Sequence, residues 1–208
     1  MTSQNRPAAR LTRRSLLAAV PAAGVFLLAA CTAKDPLAQQ AKAGDNKNYI
    51  AGDGSVTEFA AADRKSAVKF SATTFDGTTV DSAALPGKVT VLNFWYAACA
   101  PCRLEAPDLQ ALYTEFKPLG AQFFGVNIRD EAPTAEAFER TFSLGYPSIN
   151  DKNGGVLLAM AAFVPPAAVP TTLVLDKQGR VSARILGTAD KGTLKSLITS
   201  ALAENQAG

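Results

Sequence analysis

Two cysteines with two residues between them, placed where an apolar strand gives way to a helix, constrain this chain more than any other feature. Cys99-Ala100-Pro101-Cys102 directly follows Val89–Trp95, a short apolar, β-branched run of the kind a buried strand requires. It directly precedes Arg103–Phe116, where Leu109, Leu112 and Phe116 recur at helical spacing. A helix N-terminus offers backbone N–H groups without intrahelical partners and the positive end of the dipole, and both favour a thiolate. Cys99 is therefore expected at the cap, exposed and nucleophilic. Cys102 is expected in the first turn, shielded, where it can attack a mixed disulfide formed by Cys99. Pro101 suits an early helical position because its missing N–H has no intrahelical partner to lose.

Other uses of the pair find little support. A zinc site needs four ligands, and the chain has no histidine and only one further cysteine, Cys31. A copper carrier wants Met or His, and the only methionines are Met1 and Met160. A purely structural disulfide over so short a loop constrains the unfolded chain little. The absence of histidine also removes Ser–His and Cys–His catalysis and His-ligated haem. No resident metal or cofactor is expected.

The flanking sequence places the pair in one α/β unit. Val68–Thr73 and Thr78–Val80 flank Asp76-Gly77, a hairpin signal. Phe123–Ile128 reads as a second buried strand, Thr134–Phe142 as a helix with an acidic first turn, and Gly155–Phe163 as a short apolar helix. Thr171–Leu175 and Val181–Ile185 are strands joined by a turn over Asp176–Gly179, and Lys191–Glu204 is an amphipathic closing helix. Strands and helices alternate first, and an antiparallel hairpin with a helix closes the chain, which predicts a mixed sheet. The expected folded domain is 66–208.

The N-terminus reads as an address. Residues 1–30 carry four of the 21 basic groups, Arg6, Arg10, Arg13 and Arg14, and no acid. The remaining 17 basic and 18 acidic groups nearly cancel, so a nucleic-acid partner has no electrostatic support. Apolar residues at 48% and charged residues at 19% exclude a wholly disordered chain. Arg13-Arg14 precedes the uncharged run Leu16–Ala30, too short for a membrane helix of about 20 residues, and the whole reads as a signal peptide. The paired arginines resemble a twin-arginine signal. Leu28-Ala29-Ala30-Cys31 looks like the lipobox of bacterial lipoproteins, which implies cleavage before Cys31 and a lipid on its sulfur. An uncleaved anchor, or a soluble secreted product with Cys31 incidental, are the alternative readings. Residues 31–65, poor in large apolar side chains, are expected to form a flexible tether, with a weak hairpin signal around Gly52-Asp53-Gly54.

Beyond these local readings, Trp95-Tyr96-Ala97-Ala98-Cys99-Ala100-Pro101-Cys102, with Glu105 and Pro107, resembles the thioredoxin-like TlpA/ResA group of membrane-anchored thiol–disulfide oxidoreductases. Val169-Pro170-Thr171-Thr172-Leu173-Val174-Leu175-Asp176, followed by Gly179-Arg180, is similar to that group's cis-proline strand and hairpin. The resemblance spans about residues 66–200 and implies a thioredoxin-like fold, a mixed central sheet flanked by helices, with an N-terminal β-hairpin extension. By the same resemblance Cys99 attacks and Cys102 resolves, the two forming a redox-active disulfide. Val169 and Pro170 form the substrate-facing cis-proline loop, Pro170 being otherwise an ordinary trans proline at a strand edge. Trp95 lies beside the site, or is plain core. Glu105 lies on the face of Cys102 and tunes the thiols without holding the fold, or is a solvated helix charge. Asn93 stands where thioredoxin has a buried aspartate, which leaves Glu105 as the titrating candidate.

The implied partners are protein thiol or disulfide substrates and a membrane-embedded electron donor or acceptor. The implied place is the extracytoplasmic face of the cell membrane, through a lipid on Cys31. The favoured task is reduction of disulfides in exported proteins, apocytochrome c before haem attachment among them. The alternatives are an oxidant that installs disulfides and a non-catalytic anchored peptide-binding module.

Overall fold

The strand β4 (Val89–Trp95) is buried along its whole length, which explains its near-continuous run of apolar and β-branched residues. The computed structural model describes residues 53–165 and 167–204. In it β4 pairs in parallel with β5 (Ala121–Asn127) and antiparallel with β7 (Thr171–Leu175). The parallel pair is joined by α1 (Ala100–Phe116), and β7 turns antiparallel into β8 (Val181–Leu186). With β1 (Val56–Glu58) beside β8 and β6 (Ser148–Asn150) beside β5, the mixed sheet runs β1-β8-β7-β4-β5-β6. The remaining helices are α2 (Ala132–Phe142), α3 (Gly155–Ala159) and α4 (Lys191–Ala203).

Alternation along β4 divides the core between two faces. Val89 and Val91 pack with Leu109, Leu112 and Phe116 of α1 and Leu194, Leu197 and Ile198 of α4. Leu92 and Phe94 pack on the other face with Val68, Phe70, Val80, Met160 and Phe163. That second face is covered by the expected hairpin, β2 (Ser71–Thr73) and β3 (Thr79–Asp81), which a bridge from Thr74 to Ile149 ties to β6. Its turn needs Gly77, which sits at φ 86°. A third cluster closes the C-terminal end of β4, where the two cysteines lie.

Several elements differ from their sequence readings. α2 begins two residues early, after Glu131, so its first turn holds no acid. α3 ends at Ala159 rather than at Phe163, because its hydrogen bonds tighten at Met160 and Ala161 and residues 160–163 continue as turns. β6 and β1, three residues each, are too short to show a period; β6 carries no strand reading, and β1 falls on the Val56 side of the weak hairpin signal but pairs with β8. The folded body also reaches upstream of residue 66. β1 extends the sheet, and Arg64 inserts between Asp176 and Glu204 at 2.9 and 2.6 Å. The proposed signal peptide, the Leu28–Cys31 motif, Cys31 itself and tether residues 31–52 lie outside the described residues. Among the described residues, no helix is long and apolar enough to cross a membrane.

Candidate active site

The chain leaves β4 at Trp95 and reaches α1 by a tight turn, closed by a hydrogen bond from Cys99 N to the Tyr96 carbonyl at 3.2 Å. Cys99 is then the N-cap of α1: its backbone is extended (φ −73°, ψ 109°), and its sulfur accepts from Cys102 N at 3.2 Å. Pro101 occupies the first turn, and Cys99 and Cys102 are joined as a disulfide. The spacing thus puts both sulfurs at the positive end of a 17-residue helix.

Cys99 departs from its expected exposure. It is 0% exposed and Cys102 is 2% exposed. Bonded to Cys102, the cap residue turns inward, into an apolar cluster with Trp95, Tyr96, Ala106, Phe138 and Val169. The two cysteines differ in chain position and hydrogen bonding rather than in access.

Glu105 also departs from expectation. It is 1% exposed, facing the interior from the helix turn after Cys102. One carboxyl oxygen accepts from Asn93 Nδ2 and the other from Ala189 N, both at 2.7 Å. Burial pushes its pKa up from 4.5 to about 7, against the pull of those two hydrogen bonds. Asn93 is held in turn by donating to Thr172 Oγ1 at 3.1 Å. Glu105 therefore joins α1 to β4, to the strand after Pro170 and to the loop before α4. It is a fold contact as well as a titratable group.

The remaining candidates converge on the same end of the sheet. The Val169–Pro170 peptide is cis, Gly187 N donates to the Pro170 carbonyl at 2.8 Å, and both Val169 and Pro170 are buried. Val169 shares the cluster of the cysteines, so its side chain is packed beneath the site rather than displayed on a rim. Trp95 stacks on Phe138 of α2 with ring centroids 4.3 Å apart. Cys99, Cys102, Trp95 and Val169 are thus brought together in one cluster, and Glu105 sits behind them in the interior. The sequence reading used Asn93 only as a residue that does not titrate, and passed over Thr172. Both are polar positions inside apolar strands, which is a legible signal. Among the described residues no group of three His, Cys, Asp or Glu side chains could hold a metal ion.

Residues 64–184 match the AhpC/TSA family. The thiol-disulfide oxidoreductase ResA of Geobacillus thermodenitrificans is 33% identical over 114 residues, which cover 55% of this chain and 63% of that protein. This chain therefore spans less than two thirds of that relative's length. The crystal structure of a secreted thiol-disulfide isomerase from Corynebacterium glutamicum superposes with a TM-score of 0.65 at 29% identity, covering 74% of this chain and 96% of that one. A DsbF homologue from Corynebacterium diphtheriae gives 0.63 at 30% identity, covering 72% and 94%. These likenesses carry the same thioredoxin-like fold.

Proposed function

Because the chain belongs to the AhpC/TSA family and closes its cysteine pair across the N-terminus of α1, we propose that it is a thiol–disulfide oxidoreductase. The observation that carries this reading is the disulfide itself, held at a helix cap where a released thiolate is stabilised. In the reductive direction, the Cys99 thiolate attacks a substrate disulfide. One substrate sulfur bonds to Cys99 and the other leaves as a thiolate, taking up a proton. Cys102 then loses its proton and attacks the Cys99 sulfur, releasing the second substrate thiol and leaving the Cys99–Cys102 disulfide. Two electrons have passed to the substrate. Glu105, with a pKa of about 7 and a place one helical turn beyond Cys102, is suited to hold or release a proton during the second step.

The reductive direction is supported by the residues between the cysteines, Ala100 and Pro101. Neither adds a positive charge to stabilise the thiolate, and so the reduced form. The potential is expected toward the thioredoxin end of the range, about −270 mV, and away from about −120 mV. The substrates in this reading are disulfides of exported proteins, with apocytochrome c as one candidate. The protein sits on the extracytoplasmic face of the membrane through a lipid on Cys31, and a membrane-embedded donor renews the dithiol. The mass of the mature N-terminus tests the lipid directly.

Insulin reduction tests the activity. The reduced wild type should turn insulin over, Cys102→Ala should accumulate a mixed disulfide through Cys99, and Cys99→Ala should not. No turnover and no trapped adduct would favour the peptide-binding module. Equilibration of the pair with glutathione reads the direction, and a potential above about −180 mV would promote the oxidant.

A further inference from the structure

The turn that delivers Cys99 to the helix cap is held from outside by three consecutive residues of the loop after β5. Trp95 and Asn127 are the last paired residues of the parallel β4–β5 ladder. Beyond them the pairing continues through other contacts. Ile128 N donates to the Trp95 carbonyl at 3.2 Å. The Arg129 guanidinium lies 4.0 Å from the centre of the Tyr96 ring. Asp130 Oδ2 accepts from Ala97 N at 2.6 Å. Residues 128, 129 and 130 thus grip 95, 96 and 97 in register.

Asp130 is the polar end of this grip, and it is itself fixed. The same carboxyl oxygen accepts from Asn127 Nδ2 at 2.8 Å, while Asn127 Oδ1 accepts from Asp130 N at 2.8 Å and from Arg129 N at 3.1 Å. Asn127 is fully buried at the end of β5, so its side chain is a rigid base for the loop. On the other side, Arg103 of α1 donates to the Ala97 carbonyl at 3.4 Å. The Ala97 residue is therefore tied at its N–H to the loop after β5 and at its C=O to α1. Two residues on, Cys99 must present its sulfur to Cys102 N. A turn free to shift there would misplace the sulfur relative to the N–H groups that stabilise its charge.

We propose that Asp130 is a positioning residue for Cys99, fixing the Trp95–Cys99 turn so that the cysteine sulfur stays at the cap of α1. This inference rests on the oxidoreductase reading of the pair and assigns a role to a residue outside it. It makes a distinctive prediction of sign. A carboxylate acting only through its charge would repel a Cys99 thiolate, so removing it would make Cys99 more acidic. A carboxylate acting through position does the opposite when lost: the thiolate loses its aligned donors and Cys99 becomes less acidic.

The experiment compares the full-length wild type with Asp130→Ala and Asp130→Asn after reduction, measuring iodoacetamide alkylation of Cys99 against pH. Asp130→Ala should move the midpoint upward and slow alkylation at pH 7 by about three- to tenfold, the range of a lost cap interaction. Asp130→Asn removes the charge but keeps an oxygen for Ala97 N, and should stay near the wild type. A midpoint that is unchanged or lowered in Asp130→Ala, or an Asp130→Asn shift equal to that of Asp130→Ala, would overturn the proposal. If Asp130→Ala does not fold, amide exchange in the oxidised wild type decides instead. The Ala97 amide should be strongly protected, and exchange at the rate of an open loop would overturn the assignment. Failure of the wild type to reduce insulin would count against the oxidoreductase reading and leave the amide result standing on its own.

Discussion

At the scale of the residue, Glu105 is the group whose environment most changes its chemistry. A carboxyl with a pKa of about 7 in the folded state and 4.5 when unfolded binds its proton more tightly in the fold. Its contribution is therefore fully present below pH 4.5 and is lost as the pH rises toward 7, by about 3 kcal/mol in all. Glu105→Gln removes that titration. It also turns an amide NH2 toward either Asn93 Nδ2 or Ala189 N, both of them donors, so one hydrogen bond is lost at a cost of about 1–3 kcal/mol. Urea unfolding from pH 4.5 to 7.5 should show the stability advantage of the wild type over Glu105→Gln falling by about 3 kcal/mol across that window. The thiol alkylation profile should lose any inflection near pH 7. A pH-independent difference in stability would mean that this carboxyl titrates normally. Glu105 is thus a contact that holds the fold, where the resemblance implied a tuner that does not and the alternative was a solvated helix charge.

At the scale of the element, a glycine in β5 leaves room for its neighbours' side chains on one face of the sheet. A Cβ on Gly125 would come within 2.4 Å of Ser148 Oγ and 2.6 Å of Trp95 Nε1. Trp95 is wedged against Phe138 and cannot swing away, so the strand is narrow here to admit the indole beside the disulfide. Gly125→Ala should cost about 1–3 kcal/mol by overpacking. It should also shift the emission of Trp95, which is the only tryptophan of the chain. An alanine variant with unchanged stability and emission would show that β6 yields freely at Ser148. The same element carries the Asn127–Asp130 loop, so β5 serves the site twice, by what it omits and by what it donates.

At the scale of the whole molecule, the two ends of the folded body are locked together by charge. Arg64 hydrogen-bonds Asp176 after β7 and both oxygens of Glu204 after α4. Arg180 adds a second contact to the same Asp176 oxygen, at 2.9 Å. Burial of Asp176 would raise its pKa, but hydrogen bonds from Arg180, Arg64 and Gln178 outweigh it and hold the pKa below the usual value. Arg64→Ala would leave Asp176 buried with one cation and release the segment that leads to β1. A loss of about 3 kcal/mol is expected, read by urea unfolding of the oxidised protein at pH 7. It should hold down to about pH 3.8 and shrink only below it, as the pH falls through the lowered pKa of Asp176 and that carboxylate takes up its proton. An unaffected midpoint would make the latch dispensable.

Local chemistry determined much of this protein by itself. The bounds of β4 and β7 follow from continuous apolar runs between turn residues, because a central strand buried on both faces must be apolar throughout. The cysteine pair, its place at the start of α1 and the early proline are all written within about ten residues. What the tertiary structure decided is access and company. Burial of Cys99 and Glu105 depends on Val169, Ala189 and Phe138, which arrive from 33 or more residues away and leave no mark on the local pattern. β1 and β6 are strands only because β8 and β5 offer edges to three-residue segments with no period of their own. Asp130 reads as an ordinary loop acid until the parallel register sets residue 130 opposite residue 97. A sequence carries its periodicities along the chain, whereas a carboxylate meets an amide across a sheet only when the strands between them have chosen their register.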